Sequence, residues 1–201
     1  MENSTNQKNE LKVVLIGNSG VGKTCIIHYC KEGKFLENIP TTTGSSFTKI
    51  KRVYNDKKYI LNFWDTAGQE KYRSLSKQLV INAQIIILVY AINDLDSFKE
   101  LPFWMDIVKE NNGEDGYVLG LAANKNDLYK ESKVEEKDGQ NYANKINALF
   151  MKTSVKDAFG INELIEQLLK HYLSKYNVEA KKGNVDIKPN NVPEGKKGCC
   201  K

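Results

Sequence analysis

Arginine is scarce in this 201-residue chain: only Arg52 and Arg73 occur among its 30 basic residues. Long apolar runs are also missing, since the longest, residues 85–92, falls far short of the roughly 20 residues of a membrane-spanning helix. Residues 1–10 are polar and lack the apolar centre of a signal peptide, which favours a cytoplasmic location. The net charge of +5 is modest, and residues 177–201 hold six lysines against three acidic residues. The body is therefore too weakly basic for nucleic-acid binding by charge, and we expect no nucleic-acid partner.

Cysteine is infrequent as well, with four residues at positions 25, 30, 199 and 200. Because residues 1–10 do not form a signal peptide, we expect a reducing compartment and no disulfide framework. Cys25 and Cys30 lie five residues apart with His28 between them, so a zinc site is conceivable. The spacing is wrong for a zinc knuckle, and two small buried thiols on one helix are the favoured interpretation.

Short apolar segments alternate with amphipathic ones along residues 11–176. Strands are predicted at 11–16, on both sides of a hairpin turn at Asn55–Asp56, and at 85–92, 117–123 and 148–151. Ser97 and Glu100 form a capping-box pattern for a helix that runs to about Asn111, with an irregular start because of Pro102. Apolar residues at helical spacing predict a last helix from Ile161 to Leu173. This order indicates an α/β fold with an open, mostly parallel sheet and helices on both faces.

The stretch Gly17–Thr24 reads GNSGVGKT and follows the first strand directly. Glycines allow a backbone nest whose N–H groups point at phosphate oxygens, and the next helix offers its positive N-terminus. Lys23 would reach the β- and γ-phosphates, and the Thr24 hydroxyl would bind Mg²⁺. A plain glycine-rich turn is the alternative, but the strand before it and the helix after it favour nucleotide binding.

Three later motifs specify the nucleotide and its chemistry. In WDTAGQE, Asp65 ends a strand and can hold Mg²⁺ through water, Gly68 can donate its N–H to the γ-phosphate, and Gln69 can orient the attacking water. In NKND, the Asp127 carboxylate can accept the two guanine donors, while Asn124 and Lys125 support the loop. The segment TSVK, residues 153–156, would complete the base pocket. Alone, NKND is ordinary loop composition; behind a phosphate loop it predicts guanine.

Together these motifs resemble the small GTPases of the Ras superfamily, and WDTAGQE with a double-cysteine end resembles their Rab branch. The resemblance implies a six-stranded P-loop GTPase fold over residues 11–176 that binds GTP or GDP with Mg²⁺. It places the switch threonine at Thr42 and the aromatic ring that packs on guanine at Phe35, which could otherwise be a half-exposed loop residue. The resemblance implies catalytic roles for Gln69, Lys23, Thr42 and Gly68. It also implies that Mg²⁺ is bound by Thr24, by Thr42 and, through water, by Asp65. The nucleotide contacts are expected at Ser19, Gly20, Val21, Gly22, Lys23, Thr24, Cys25, Phe35, Thr42, Gly68, Asn124, Lys125, Asp127, Leu128, Ser154, Val155 and Lys156.

Such proteins are molecular switches that act with a GTPase-activating protein, an exchange factor, effectors and a prenyl-lipid escort. With two arginines, the chain is expected to hydrolyse GTP slowly until a partner supplies one. It departs from the usual Rab pattern at Thr43, Ser45 and Ser46, in Leu79–Ala83, and at Val155, where an alanine is usual. The surfaces that partners read therefore differ, and the chain is an atypical Rab-like protein. A role in vesicle trafficking is the expectation.

Residues 177–201 have no apolar periodicity and predict a flexible tail. Gly198 stands where a single-prenyl C-a-a-X box needs cysteine. Paired cysteines in Rab proteins receive two geranylgeranyl chains, which implies lipidation of Cys199 and Cys200 and attachment to the cytosolic face of an intracellular membrane. Two lipids with nearby lysines also anchor better than one.

Three rival functions stand beside this one. A GTP-binding membrane scaffold with negligible hydrolysis would not need Gln69, Thr42 and Gly68. A nucleotide kinase would need a lid rich in arginine. A basic nucleic-acid-binding module would need a dense charged face and aromatic stacking residues.

Overall fold

The computed structural model describes residues 9–37, 39, 42, 45–66, 73–113 and 115–176. The elements in chain order are β1 (Glu10–Ile16), α1 (Lys23–Glu32), β2 (Ser45–Tyr54), β3 (Lys57–Thr66), α2 (Arg73–Val80), β4 (Ile85–Ala91), α3 (Leu95–Lys99), α4 (Leu101–Asn112), β5 (Val118–Asn124), a 3₁₀ helix (Asn126–Glu131), α5 (Glu136–Lys145), β6 (Leu149–Lys152) and α6 (Ile161–Tyr176). The expected flexible tail and the paired cysteines lie outside the described residues, so their predictions stay open.

The strands form one six-stranded sheet in the order β2-β3-β1-β4-β5-β6. Only the β2–β3 pair is antiparallel; the other neighbours run parallel. The predicted hairpin turn is confirmed, and both of its residues, Asn55 and Asp56, have positive φ angles of 48° and 58°. Asparagine and aspartate tolerate this left-handed conformation, so the two-residue turn forms without glycine.

Helices cover both faces of the sheet, which confirms the predicted α/β fold. Successive residues of β4 enter opposite layers: Ile87 packs in the layer with α1 and α6, and Leu88 in the layer with α2, α4 and α5. Both residues are fully buried. A strand buried on its two faces has no reason to alternate apolar with polar residues, which explains its unbroken apolar run.

The helix predicted from Ser97 differs in the structure. Asp94 is the N-cap, three residues before Ser97, and its side chain accepts hydrogen bonds from the N–H groups of Asp96 and Ser97. The Ser97 hydroxyl is instead buried and donates to the Asp94 carbonyl at 2.6 Å. Pro102 lies in the first turn of α4 and divides the segment into two helices, so the expected irregular start is confirmed.

The parallel strands bring distant loops to one edge of the sheet. β1, β3, β4, β5 and β6 all point the same way, so the residues after their carboxyl ends become neighbours. Ligands bind outside this edge in open α/β sheets. Within the described part of the chain, no helix combines the length and apolar character needed to cross a membrane.

Candidate functional site

The loop after β1 takes a conformation that requires glycine. Gly17 has φ 145°, and a Cβ there would collide with the carbonyl oxygen of Val89 on β4. Gly22 has φ 98°, and a Cβ there would collide with the side-chain amide of Asn124. The loop is therefore packed directly against two neighbouring strands, and only glycine permits both approaches.

Lys23 begins α1 and is held by the same loop. Its ammonium donates to the carbonyls of Gly17 and Asn18, both at 2.8 Å, and only 5% of the residue is exposed. Burial lowers the pKa of the Lys23 ammonium to about 8, against the nearby Asp65 carboxylate, which raises it. Among the described residues, no side chain caps the first N–H groups of α1. A buried cation beside an uncapped helix N-terminus is a site suited to an anion such as phosphate.

Three oxygen-bearing side chains meet beside this cation. The Thr24 hydroxyl donates to Asp65 Oδ2 at 2.6 Å, the Thr42 hydroxyl donates to the same oxygen at 3.0 Å, and the two hydroxyl oxygens are 2.7 Å apart. Asp65 is 1% exposed, and its second oxygen, Oδ1, is buried with no hydrogen-bond partner in the described structure. A buried carboxylate oxygen with a free lone pair can accept a hydrogen bond from metal-bound water. Hard oxygen donors of this kind fit Mg²⁺, so the residues suit the ion that the sequence implies.

The predicted guanine loops are joined by side chains at the end of β5 and just after β6. Asn124 donates to the Val21 carbonyl of the phosphate loop at 2.7 Å and accepts from the Thr153 hydroxyl at 3.1 Å. Ser154 donates to Asp127 Oδ1 at 2.7 Å. This last bond engages one carboxylate oxygen of Asp127 and restrains the orientation of the carboxyl group. A fixed acceptor pair of this kind can distinguish guanine from adenine.

These parts enclose a cavity of about 310 Å³ at the predicted edge of the sheet. Its lining includes most of the predicted nucleotide contacts: Ser19, Gly20, Gly22, Lys23, Thr24, Cys25, Phe35, Thr42, Asn124, Lys125, Asp127, Val155 and Lys156. Phe35 is 38% exposed there, as a ring with one open face would be. The structure thus brings residues from positions 19 to 156 into one pocket.

Three predicted contacts do not line the cavity. Val21 is fully buried, and its carbonyl accepts a hydrogen bond from Asn124, while Ser154 donates its hydroxyl to Asp127. Leu128 is half-buried in the 3₁₀ helix. Gly68 and Gln69 lie outside the described residues, so their predicted roles stay predictions.

Four further residues line the cavity without having been predicted: Leu36, Glu37, Ile39 and Thr66. The first three follow Phe35, and Thr66 follows Asp65, so closeness in sequence to a predicted contact was the available signal. Thr66 also donates its hydroxyl to the Leu15 carbonyl at 2.8 Å, which ties the end of β3 to β1.

Cys25 and Cys30 are free thiols on α1. Among the described residues, no group of three or more histidine, cysteine, aspartate or glutamate side chains is placed to hold a metal ion. Burial raises the pKa of the Cys30 thiol to about 11, and the nearby Arg52 opposes this rise. Cys30 is buried as predicted, whereas Cys25 is half-buried and faces the cavity.

The fold and pocket define a P-loop protein of the α/β class with a site for a phosphorylated nucleotide. A model of the Ras family matches residues 12–174. The human Ras-related protein Rab-22A is 35% identical over 192 residues, covering 95% of this chain and 98% of that protein. Rab-5A of Dictyostelium discoideum is also 35% identical, with 98% of each chain covered. SEC4 of Saccharomyces cerevisiae is 35% identical over 94% of this chain and 91% of its own length.

The chain therefore belongs to the Ras family, within its Rab group of small GTPases. It is a GTP-binding switch and a GTPase, which confirms the enzyme class and the family expected from the motifs.

Proposed function

We propose that this chain is a Mg²⁺-dependent GTP/GDP switch with slow intrinsic hydrolysis that regulates membrane trafficking. The observation that carries the proposal is the meeting of Thr24, Thr42 and Asp65 beside the buried Lys23 ammonium. Thr24 belongs to α1, and Asp65 to the end of β3. Thr42 lies in the loop between α1 and β2, so a ligand at this point would hold that loop.

The chain's own residues supply the binding chemistry. An ammonium has three donors, and two of those on Lys23 go to Gly17 and Asn18, which leaves one for a phosphate oxygen. The hydroxyls of Thr24 and Thr42 and, through water, the Asp65 carboxylate would hold Mg²⁺. When bound, Mg²⁺ neutralises charge on the β- and γ-phosphates. When the γ-phosphate is lost, the bound ligand no longer holds Thr42 in the site, and the loop that carries Thr42 is released.

We assign catalysis to positioning and charge stabilisation by Lys23, Thr42, Gly68 and Gln69. Lys23 is the one cation held in the phosphate cavity by described backbone carbonyls, and Arg52 is engaged elsewhere, donating to the Cys30 carbonyl at 3.1 Å. Slow turnover follows, and an activating protein that supplies an arginine would raise the rate by about 10³–10⁵. Exchange factors, effectors and a prenyl-lipid escort are the other proposed partners.

The nucleotide is tested by denaturing protein purified without added nucleotide and identifying what is released. We expect about one GDP per chain.

EDTA should accelerate GDP release from the wild type but not from Thr24→Val, which keeps the side-chain shape and removes the hydroxyl. Asp127→Ala should lose guanine affinity, while Glu131→Ala, an exposed change on the same 3₁₀ helix, should not. A rate of GDP release from the wild type that does not change with EDTA would refute the Mg²⁺ assignment.

Single-turnover assays with labelled GTP separate the slow hydrolase from the GTP-binding scaffold. The hydrolase converts bound GTP to GDP with one slow rate constant, and an activating protein shortens that time. A scaffold would keep GTP intact throughout, and this result would overturn the proposed switch cycle while leaving GTP binding in place.

Attachment to a membrane is proposed through lipids on Cys199 and Cys200. One lipid chain binds membranes only marginally, so two chains with nearby lysines suit a stable anchor. Replacing both cysteines by serine should move the protein from the membrane to the soluble fraction, while Cys30→Ser, a change outside the nucleotide cavity, should leave its distribution unchanged. Membrane association that survives the double replacement would refute the anchor.

A further inference from the structure

The phosphate loop has a polar contact with helix α4 that none of the nucleotide-binding motifs contains. Trp104 is fully buried and is the largest fully buried side chain of the described structure. Its indole Nε1–H donates to the side-chain carbonyl Oδ1 of Asn18 at 2.8 Å. The two residues are 86 positions apart in sequence. The contact therefore joins the α4 layer of the core to the second residue of the loop.

We propose that Trp104 is a positioning residue for nucleotide binding, acting through Asn18 on the phosphate loop and Lys23. The proposal rests on the proposed function, because it assigns a role within that same site. It concerns how the loop is held in shape and not which groups touch the nucleotide.

The chemistry of the indole gives the contact its direction. A tryptophan N–H can only donate, and a buried one needs an acceptor. Asn18 offers its side-chain carbonyl for this purpose, which turns the asparagine side chain toward α4. Because the ring is packed in the core, Trp104 has little freedom to follow Asn18. Trp104 is therefore the fixed partner, and its hydrogen bond restrains the position of Asn18.

The backbone of Asn18 connects this contact to the site. Its carbonyl accepts a hydrogen bond from the Lys23 ammonium at 2.8 Å, and the carbonyl of Gly17 accepts another. Rotation of the 18–19 peptide would turn the Asn18 carbonyl away from the ammonium. Trp104 thus restrains the same residue whose main chain orients Lys23. Preorganised donors and cations bind an anion without a cost of reordering at the moment of binding.

The neighbouring restraints act on other parts of the loop. Gly17 is pressed against β4, and Asn124 holds the Val21 carbonyl. Asn18 lies between them, and its side chain is bound by Trp104. Loss of this bond should therefore loosen the loop around Asn18, while the part around Val21 stays fixed. The expected consequence is faster nucleotide release with an intact fold.

The experiment is a double-mutant cycle on GDP release from the full chain. Trp104→Phe removes the N–H and keeps an aromatic ring; Asn18→Ala removes the acceptor. Each should accelerate GDP release about fivefold, the factor that corresponds to one neutral hydrogen bond. The double variant should also be about fivefold faster, because the second change has nothing left to remove. Ile107→Val, a buried change on α4 that keeps the contact, should release GDP at the wild-type rate.

A spectroscopic measurement reports the bond itself. The chain has two tryptophans, so two indole ¹⁵N–¹H signals are expected, and Trp64 provides an internal reference. Asn18→Ala should move the Trp104 signal and leave the Trp64 signal in place. This measurement also serves if Trp104→Phe does not fold, because Asn18→Ala leaves both rings present.

Four results would overturn the positioning role. The first is a wild-type rate of GDP release in Asn18→Ala, and the second is a roughly 25-fold acceleration in the double variant, which would show that the two residues act independently. The third is an acceleration by Ile107→Val equal to that by Trp104→Phe. The fourth is a Trp104 indole signal that does not move in Asn18→Ala. Normal GDP binding with any of these results leaves the proposed function standing. A wild-type chain that takes up no GDP would refute both.

Discussion

Replacement of Asn124 by alanine should damage stability and nucleotide binding together. The Asn124 side chain is 2% exposed and joins three segments: it is carried by β5, donates to the Val21 carbonyl of the phosphate loop, and accepts from Thr153 at the end of β6. Alanine removes both bonds. The Val21 carbonyl and the Thr153 hydroxyl then lose their partners in the protein interior.

The size of the effect follows from the number of groups left without a partner. A buried donor or acceptor left unsatisfied costs about 1–3 kcal/mol, so two such groups lower the free energy of unfolding by about 2–6 kcal/mol. Thr153→Val is the matched control because it has nearly the same shape and breaks only the bond to Asn124. It leaves one group unsatisfied, and the same reasoning gives a loss of about 1–3 kcal/mol. Asn124→Ala should therefore cost about twice as much.

Urea unfolding with EDTA present measures the stability of the nucleotide-free chain. Release of labelled GDP measures how fast the nucleotide dissociates from the folded chain. Asn124→Ala should accelerate release strongly, since it frees the phosphate loop at Val21. Thr153→Val should accelerate it far less, because its lost bond does not touch that loop. Equal loss of stability in the two variants, or equal release rates, would refute the assignment of Asn124 as the link between the loops.

Three further predictions concern other parts of the molecule. Gly17→Ala should prevent stable folding or nucleotide binding because its Cβ would collide with the Val89 carbonyl. Gly20 has φ 76° and open space around it, so Gly20→Ala should cost only about 1–2 kcal/mol of backbone strain. Similar melting temperatures for the two variants would contradict this prediction. Gln69→Leu should trap the GTP form, and unchanged single-turnover hydrolysis would remove Gln69 from the mechanism. Cys30, whose pKa is raised to about 11 by burial, should be alkylated slowly at pH 8, where only about one thiol in a thousand is ionised. Mass spectrometry after iodoacetamide treatment should find Cys30 modified only once urea unfolds the chain, and rapid labelling of the folded protein would argue against its burial.

Most of the sheet was accessible to prediction because strands such as β1, β4 and β5 are apolar and bounded by turn residues. Helix α5 was not predicted, and the structure shows the reason. Its buried residues are Gly139 and Ala143, which are small and give no apolar periodicity. The close approach is permitted by the missing side chain of Gly139, since a Cβ there would collide with the Tyr90 hydroxyl. A helix that packs through small residues cannot be recognised from a hydrophobic pattern.

The pocket was predictable to the extent that its residues fall in contiguous motifs. Such motifs contain the groups that can touch a ligand, as at Lys23 and Asp127. Some of the groups that hold those residues lie outside the motifs, as Trp104 does, which supports Asn18 from 86 positions away. Others belong to a second motif, as Thr153 of TSVK does, but its pairing with Asn124, 29 positions away, is not given by either motif alone. Pairs of this kind become visible only when the strand order and the helix positions are known.

The atypical segment Leu79–Ala83 can differ from the usual Rab pattern without disturbing the nucleotide pocket. Val80 and Ala83 are buried in the α4 layer, while Ile81 is 43% exposed. The Ile81 carbonyl accepts a hydrogen bond from Lys12 Nζ at 2.8 Å, near the start of β1, whereas the phosphate loop follows the end of that strand. A strand rises about 3.3 Å per residue, so the four residues from Lys12 to Ile16 separate the two places by more than 10 Å. Changes at an exposed position such as Ile81 therefore alter the protein surface and leave the residues of the phosphate loop in place.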